Sequence, residues 1–271
     1  MSRERIGRKM TTSRAHSFLN LFWKGFTFSS REIAAANCLP YIPRENKSLD
    51  SLLNDFGAAL VVSDRRLSCF TPAGELFYHP NMAAMRIRLL RQGKADKMLE
   101  ICGLSASDSF LDCTAGLCSD SLVSKYRVGE KGRVLSLEQS LPIYIVMGHG
   151  LKNSGPPRFQ ELARGIELVH ADFRSYLQKL PPRSFDVVYF DPMFDVPVME
   201  ASSLLPLRPL ACVQPLTRED IALAARVAKR KVVVKQRSFF VFSRLGLTEA
   251  GGNNRKISYG VLEIKENESD S

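Results

Sequence analysis

Four acidic residues follow short apolar runs that have the composition of β-strands, and each stands at or just beyond the end of its run. They are Asp112, Glu138, Asp172 and Asp191. In an open, mostly parallel sheet, ligands bind outside the carboxyl ends of the strands, where the strand order reverses. Carboxylates at that edge can accept hydrogen bonds from hydroxyl and amino groups. The spacing therefore predicts a hollow of nucleoside size at one edge of a sheet.

The turn after the first of these residues is built from small side chains, Thr114, Ala115 and Gly116. Small residues permit a tight turn that a ligand can approach closely, and the following helix would present unpaired N–H groups. Phosphate-binding turns carry a G-x-G-x-x-G pattern or a lysine-bearing loop, and the chain has neither here. We expect a ligand with a small polar group and no phosphate, although any strand-to-helix turn favours small residues.

Two of the acidic residues have both a binding and a capping interpretation. Glu138 lies roughly 20 residues beyond the turn, where an acid suits the two hydroxyls of a ribose. It could instead cap the next helix, a role that Ser140 could also fill, and we favour the ribose. Asp172 could accept from an adenine amino group or cap the helix that begins at Phe173, and the sequence does not separate these roles.

Asp191, Pro192, Met193 and Phe194 form a compact motif directly after an apolar strand. The motif supplies a hydrogen-bond acceptor, a proline that fixes the direction of the chain, and an aromatic ring. Those parts can hold a planar amine by one hydrogen bond and one stacked face. The four residues are therefore candidate catalytic residues, and a purely structural Asp-Pro turn is the alternative.

Several basic residues are candidates for contact with the substrate. Lys235, at the end of a predicted strand, could meet a phosphate or ribose, or could extend its ammonium group to solvent. His79 could line the site, although a lone histidine more often has a structural role. Arg86, Arg88 and Arg91 could form a stripe that faces phosphates, and a solvated helix face is the more common explanation of such a pattern.

The elements that must position these residues alternate between short apolar strands and longer helical stretches. Such alternation is typical of βαβ units and a mostly parallel sheet, an α/β fold. The predicted strands are 109–112, 133–137, 166–170, 185–190 and 231–235, and the predicted helices are 116–126, 141–153, 173–178 and 217–228. Residues 239–243 are separated from a final strand at 257–264 by a glycine-rich, flexible connection.

The first third of the chain has a different texture. Residues 1–17 are rich in arginine and serine and predict a flexible basic arm. Residues 18–93 predict a small α+β domain with helices at 31–38, 48–56 and 81–91 and a hairpin across 60–70. The α/β domain then covers residues 94–271.

The composition excludes several classes of protein. Of the 271 residues, 45% are hydrophobic and 24% charged, so neither a disordered nor a fibrous chain is expected. No apolar run approaches the roughly 20 residues of a membrane span, and the N-terminus lacks a secretory signal, so we expect a cytoplasmic protein. Six cysteines without a C-x-x-C pair predict reduced thiols and no metal site. The net charge of +10 favours a polyanionic partner.

Residues 109–194 resemble a class I S-adenosylmethionine-dependent methyltransferase, and the Asp-Pro-Met-Phe motif is similar to the Asp-Pro-Pro-Tyr type found in enzymes that methylate exocyclic amines of bases. More narrowly, LDCTAGL at 111–117, DVVYFDPMF at 186–194 and VVVK at 232–235 resemble the ribosomal small-subunit methyltransferase J family. The resemblance extends from about Lys94 to Ile264.

This resemblance implies a Rossmann-like sheet whose last strand is antiparallel, with S-adenosylmethionine as the cofactor. It also implies methylation of N2 of a guanine in small-subunit ribosomal RNA. The candidate cofactor contacts that match the family's positions are Ser119, Asp120, Glu138, Gln139, Asp172, Phe173 and Asp191. The residue pattern itself adds Asp112, Thr114 and Gly116 to the candidate cofactor site.

The predicted enzyme therefore has S-adenosylmethionine as its cofactor and ribosomal RNA as its substrate. We expect Asp191 to accept hydrogen bonds from the acceptor amine while Phe194 stacks on the base. Two other functions fit the same residues. One is methylation of a small molecule or a protein, and the other is an RNA-binding assembly factor without activity. The sequence leaves the oligomeric state open.

Overall fold

The computed structural model describes residues 20–23, 30–43, 47–63, 66–155, 157–193, 208–212, 214–237, 239–253 and 257–265. The predicted arm at 1–17 and Phe194 lie outside these residues. The chain divides into two compact units, Met1–Leu76 and Phe77–Ser271. Each unit has its own sheet, and we describe them in turn.

The first unit is a small α+β unit with a four-stranded sheet in the order β1-β2-β3-β4. The predicted hairpin is present, because β2 and β3 pair antiparallel. Ser48 begins the second helix by accepting a hydrogen bond from the backbone N–H of Ser51. The elements are β1 (Asn20–Trp23), α1 (Ser30–Ala36), α2 (Leu49–Phe56), β2 (Ala59–Val62), β3 (Leu67–Thr71) and β4 (Gly74–Phe77).

The second unit holds a seven-stranded sheet in the order β10-β11-β9-β8-β5-β6-β7. Strands β5 to β9 pair parallel, whereas β11 runs antiparallel to both of its neighbours. The expected α/β, Rossmann-like sheet with an antiparallel last strand is therefore confirmed. The strands are β5 (Ser109–Asp112), β6 (Arg133–Glu138), β7 (Ile166–His170), β8 (Phe185–Phe190), β9 (Ala228–Arg237), β10 (Thr248–Asn253) and β11 (Ile257–Glu263).

Helices connect these strands and cover them. On one side, buried residues of α8 and α9 pack on β5, β8 and β9 in a single apolar cluster. Strand β8 is apolar at all but one position and buried along most of its length, as expected for a strand covered by helices on both faces. The helices of the unit are α3 (Asn81–Arg91), α4 (Lys97–Cys102), α5 (Ser119–Val128), α6 (Leu141–Asn153), α7 (Pro157–Arg164), α8 (Phe173–Lys179) and α9 (Arg218–Val227).

The strand order reverses between β5 and β8. The chain runs from β5 through β6 to β7 on one side, then crosses to β8 and β9 on the other side. The two βα connections that leave β5 and β8 therefore diverge and leave a crevice between the carboxyl ends of these strands. The turn at 113–118 and the Asp191-Pro192-Met193 segment lie at that crevice.

Three features differ from the sequence-based expectation. Helix α3 lies in the second unit, whereas the predicted boundary at 93 put it in the N-terminal domain. Helix α5 begins at Ser119 instead of 116, because Gly116 and Cys118 adopt left-handed backbone angles with φ of 48° and 57°. Helix α7 and strands β1 and β4 were not predicted from the sequence.

The connection after β9 is also more ordered than predicted. Residues Phe242–Leu245 form a 3-10 helix, and Thr248–Asn253 form an edge strand where we expected a flexible connection. The pairing of this strand shifts register between Glu249 and Gly252, and Gly251 has φ of 84°. A bulge of this kind accommodates glycines in a strand, which is why the composition alone indicated a loop.

No helix among the described residues has the length and apolar character needed to cross a membrane. All six cysteines lie in the described part of the chain and carry free thiols. Four of them are buried, and Cys38 and Cys212 are exposed.

Two glycines of α6 provide a matched test of the packing. A Cβ atom at Gly150 would lie 2.0 Å from Cβ of Tyr78, whereas one at Gly148 would have its nearest contact at 3.8 Å. We expect Gly150→Ala to lower the free energy of unfolding by about 1–3 kcal/mol through overpacking. Gly148→Ala should raise it by up to about 1 kcal/mol because alanine favours helix. Urea unfolding measures both, and equal effects would contradict the packing described here.

Candidate functional site

The four acidic residues that follow strands lie at the same edge of the sheet. Asp112 ends β5 and Glu138 ends β6, two parallel neighbours. Asp191 directly follows β8, the other neighbour of β5. Asp172 lies two residues beyond β7, which pairs with β6 up to Glu138. The structure thus brings together the residues that the sequence pattern selected.

Asp112 lies beneath the turn that it precedes. Its two carboxylate oxygens accept hydrogen bonds from the backbone N–H of Thr114 at 3.1 Å and from the hydroxyl of Ser121 at 2.6 Å. The residue is only 1% exposed. Burial raises the pKa of Asp112 to about 7, although the hydrogen bond from Ser121 opposes the shift. Asp112 therefore ties the turn to α5 and is shielded from solvent.

Glu138 joins the same turn to the end of β6. Its carboxylate oxygens accept hydrogen bonds from the backbone N–H groups of Gly116, at 2.9 Å, and Ser140, at 2.7 Å. Burial raises the pKa of Glu138 against the effect of these bonds. Ser140 occupies the N-cap position of α6 but its side chain makes no capping hydrogen bond, and Glu138 accepts from its backbone N–H at the start of the helix. Each carboxylate oxygen still has acceptor capacity for a second donor.

Asp172 caps α8, which was one of its two predicted roles. Its Oδ2 atom accepts from the backbone N–H and the hydroxyl of Ser175, both at 3.0 Å. Among the described residues its other oxygen has no hydrogen-bond partner, so capping does not use all of its acceptor capacity. Phe173 is buried and packs edge-to-face on Phe190 with ring centroids 5.3 Å apart. Its ring therefore belongs to the core.

The Asp191 backbone is fixed against the turn. Its N–H donates to the Thr114 hydroxyl at 2.6 Å. Just before it, the carbonyl of Tyr189 accepts from the N–H of Cys113 at 2.9 Å. The start of the Asp-Pro-Met segment is thereby held at the switch point between β5 and β8.

The carboxylate of Asp191 belongs to a cluster of charged side chains. Lys235 Nζ donates to Asp191 Oδ2 at 2.7 Å and to Asp120 Oδ2 at 3.1 Å. The hydroxyl of Tyr189 donates to the same oxygen of Asp120 at 2.7 Å. A second cation, Arg86, pairs with Asp120 Oδ1 and forms a two-pronged pair with Asp96 at 2.7 and 2.9 Å. We call Arg86, Asp96, Asp120, Asp191 and Lys235 the charge cluster.

The pKa shifts in this charge cluster follow from burial and from the balance of its charges. Burial acts to raise the pKa of Asp120, but Lys235 and Arg86 outweigh it and hold the pKa well below its usual range. Burial likewise raises the pKa of Asp191, and here the attraction of Lys235 only partly opposes it while Asp120 adds to it. Burial acts to lower the pKa of Lys235, and the two carboxylates raise it instead. Lys235 therefore stays charged.

These contacts change the interpretation of several candidate residues. Lys235 was expected to meet a phosphate or to reach solvent, but its side chain is 17% exposed and lies between two carboxylates. Asp120, a candidate cofactor contact, binds Arg86, Lys235 and Tyr189 in the structure.

The remaining candidates are His79, Gln139 and Ser119. His79 is exposed, with its ring 6.3 Å from that of Phe77. The backbone carbonyl of Gln139, just after β6, lies within hydrogen-bond distance of His170, 3.0 Å from its Nε2 atom. Ser119 begins α5 and is partly buried.

Sequence reasoning did not select Tyr189 and Asp96, and it gave Arg86 a surface role. Arg86 and Asp120 are 34 residues apart, and no local pattern pairs residues at such a separation. One signal was available for Lys235. It follows the buried Val234 as Asp191 follows Phe190, and these two buried residues are partners in the parallel register of β8 and β9.

Two kinds of chemistry find no support among the described residues. They contain no group of three or more histidine, cysteine, aspartate or glutamate side chains that could hold a metal ion. Burial raises the pKa of Cys113 and Cys118 well above the usual value, so these thiols stay protonated. Neither cysteine is suited to act as a nucleophile.

Known proteins of similar sequence and structure share this architecture. A family model described as "Putative SAM-dependent methyltransferase" matches residues 73–242. The chain is 33% identical to the uncharacterized protein YpiP of Bacillus subtilis over 240 residues, which is 87% of this chain and 93% of that protein. The solved structure of the SAM-dependent methyltransferase NGO1261 from Neisseria gonorrhoeae has a TM-score of 0.64 at 19% identity and covers 91% of this chain and 96% of that one. The last likeness shows a shared fold.

Two other relatives carry a more specific name. Ribosomal RNA small subunit methyltransferase J of Coxiella burnetii is 30% identical over 157 residues, 55% of this chain and 59% of that protein. The protein of the same name from Acinetobacter baumannii is 32% identical over 141 residues, 50% of this chain and 48% of that one. The chain thus spans roughly half the length of these two relatives.

The buried Asp112 predicts a pH-dependent stability. Its pKa is about 7 in the folded protein and about 3.9 when unfolded, so its contribution to stability is lost as the pH rises through 7. The variant Asp112→Asn keeps a side-chain oxygen that can accept from the N–H of Thr114. It cannot ionise, so it does not lose stability as the pH rises. Between pH 5 and pH 8, urea unfolding should show the variant gaining on the wild type by about 2–3 kcal/mol.

Asp186→Asn is the control for this measurement. Burial acts to raise the pKa of Asp186, but hydrogen bonds from Ser109 outweigh it and the pKa is lowered. Its carboxylate is therefore ionised in both the folded and the unfolded state above pH 5. The free energy of unfolding of Asp186→Asn should differ from that of the wild type by the same amount at every pH between 5 and 8. A constant difference for Asp112→Asn as well would contradict the assignment.

Proposed function

This chain belongs to the S-adenosylmethionine-dependent methyltransferase family, and from that premise we propose that it methylates an exocyclic amine of a base in RNA. The enzyme is thus a methyltransferase and its cofactor is S-adenosylmethionine. The acceptor we propose is N2 of a guanine in small-subunit ribosomal RNA, which would place the enzyme in the cytoplasm with the ribosome. Two relatives are named for methylation of this RNA, and the net charge of +10 suits a polyanionic substrate.

The residues at the carboxyl edge fit the cofactor. The hydroxyl of Ser140 is buried beside Glu138 without a hydrogen-bond partner among the described residues, which suits a site for a polar ligand. In the proposal, Glu138 holds the ribose hydroxyls with its remaining acceptor capacity, and the unpaired oxygen of Asp172 accepts from the adenine amino group. The N-terminus of α5 at Ser119 would present N–H groups to the carboxylate of the methionine part.

When bound, S-adenosylmethionine supplies an electrophilic methyl group, whose bond to the sulfonium sulfur breaks on transfer to leave a neutral thioether. The exocyclic amine of a base is a weak nucleophile because its lone pair is shared with the ring. In the proposal, Asp191 accepts a hydrogen bond from this amine and so concentrates electron density on the nitrogen. Once the nitrogen has gained the methyl group it must lose one proton, and the same carboxylate accepts that proton.

One observation carries this assignment, which is that Asp191 is held at two points. Its backbone N–H donates to Thr114, and its Oδ2 accepts from Lys235. Among the described residues its Oδ1 has no hydrogen-bond partner and is available to the amine. Pro192 fixes the direction of the chain as it leaves the strand. Together these contacts orient one carboxylate oxygen at the switch point. The proposed stacking by Phe194 concerns a residue outside the described part of the chain.

Asp191→Asn tests the catalytic role. The variant should bind S-adenosylmethionine with near wild-type affinity in calorimetry, while methyl transfer falls by about 10²- to 10⁴-fold. The acceptor is small-subunit ribosomal RNA from cells that lack the enzyme, and mass spectrometry of its nucleosides identifies the methylated base. Asp186→Asn removes a carboxylate from the opposite end of the same strand and should retain activity.

The same assay separates the alternatives. If the wild type binds the cofactor but places no methyl group on RNA, the acceptor is a small molecule or a protein and the proposed substrate is wrong. If Asp191→Asn transfers methyl groups to RNA at the wild-type rate, the substrate stands and the role given to Asp191 is wrong.

A further inference from the structure

Few large apolar side chains are exposed in the described part of the chain. They are Met82, Met85, Phe239 and Val241, with 57%, 43%, 70% and 49% of their surfaces exposed. Phe239 is the most exposed of them and is the aromatic one. An exposed phenyl ring offers a flat apolar surface, and burying it against a ligand recovers hydrophobic free energy.

Phe239 lies beyond the carboxyl end of β9, at the sheet edge that holds the proposed active site. Strands β8 and β9 run parallel, with Phe190 paired to Val234, so Asp191 and Lys235 follow side by side. Strand β9 continues to Arg237 beyond the end of β8. Because a strand rises about 3.3 Å per residue, Phe239 lies within roughly 13 Å of Lys235 along the chain.

The ring of Phe239 contacts an arginine on the face of β9 that carries Lys235. Side chains alternate along a strand, so Lys235 and Arg237 share a face of β9. The guanidinium carbon of Arg237 lies 5.8 Å from the ring centroid of Phe239. The face on which Lys235 meets Asp191 is therefore continued by Arg237, and the exposed ring of Phe239 lies beside its guanidinium group.

The backbone that presents Phe239 is held firmly. The N–H of Phe240 donates to the carbonyl of Arg237 at 2.9 Å, which closes a turn with Phe239 near its tip. On the other side of the tip, Phe240 packs against the core and lies edge-to-face with the buried Phe242, with ring centroids 5.2 Å apart. The exposed ring is thus carried by a turn that is anchored on both sides, and little ordering would be needed on binding.

We propose that Phe239, together with Arg237, is a stacking platform for an unpaired base of the RNA substrate, next to the base that is methylated. This inference rests on the proposed function and specifies its substrate as RNA that is single-stranded around the acceptor. An aromatic ring beside a guanidinium group is a combination that binds the π-faces of bases, and such stacking tolerates any base. The arginine also complements the charge of the RNA backbone.

The observations favour RNA over a protein partner at this position. A stable protein interface needs roughly 800 Å² on each partner and an apolar centre. Here one ring and one smaller apolar side chain stand beside a cation, within a chain of net charge +10. A single base covers such an area, whereas a folded partner would need far more.

Phe239→Ala tests the proposal by fluorescence anisotropy with a short, fluorescein-labelled single-stranded RNA. Its dissociation constant should rise by about 5- to 140-fold, the effect of losing one stacked base. Phe239→Trp retains a flat ring and should bind at least as tightly as the wild type. Met82→Ala removes a comparably exposed apolar side chain from α3 and should leave RNA affinity unchanged. Cofactor affinity in calorimetry should be the same in all three variants.

The outcomes separate this inference from the function on which it rests. If the wild type binds RNA and Phe239→Ala binds it equally well, the platform is wrong and the proposed function stands. If the wild type itself does not bind RNA, the proposed substrate fails and the platform fails with it. If sedimentation shows that the wild type self-associates and that Phe239→Ala does not, the ring belongs to an interface between copies of this chain and the proposal is overturned.

Discussion

One ammonium group, Nζ of Lys235, lies between the carboxylates of Asp120 and Asp191, and the geometry of the proposed site depends on this contact. Two buried carboxylates that contact the same ammonium group are close enough to repel each other, and the cation between them offsets this repulsion. Lys235 and Arg86 together carry two positive charges against the three negative charges of Asp96, Asp120 and Asp191. The negative charge that remains lies next to the site where the proposed acceptor amine binds.

The fold supplies this contact from elements that are distant in the sequence. Strand β9 brings Lys235 beside Asp191, and the first turn of α5 supplies Asp120. Arg86 comes from α3, ahead of the strand that begins the α/β sheet. The sequence-based boundary assigned α3 to the N-terminal domain, but in the structure this helix contributes a charge to the centre of the second unit. The unit that holds the proposed site therefore includes α3, whose Arg86 pairs with Asp120 of α5, in addition to the α/β sheet.

The strands and the acidic residues that follow them could be predicted because both depend on local patterns. The bounds of β5, β7, β8 and α6 match the predicted residues 109–112, 166–170, 185–190 and 141–153. A buried strand is a short apolar run, and the polar residue that ends it is adjacent in the chain. Asp191 and Glu138 were found in this way.

The rest could not be predicted, because it depends on contacts between residues far apart in sequence. The pairing of Arg86 with Asp120 requires knowledge of how α3 packs on α5. The capping role of Asp172 was one of two equal alternatives until its contact with Ser175 was seen. The exposure of Phe239 depends on the turn between β9 and the core. From the sequence alone, two consecutive phenylalanines would both be expected to be buried.

The pH profile of methyl transfer in variants of Lys235 tests the central claim most directly. Lys235→Met removes the cation that opposes the raised pKa of Asp191, so the acidic limb of the profile should move upward by about 1–3 pH units while cofactor affinity is retained. Lys235→Arg keeps the charge and should leave that limb within about half a unit of the wild type. If Lys235→Met folds cooperatively and keeps both the rate and the acidic limb of the wild type, the ammonium group does not control Asp191 and the account of the site is wrong.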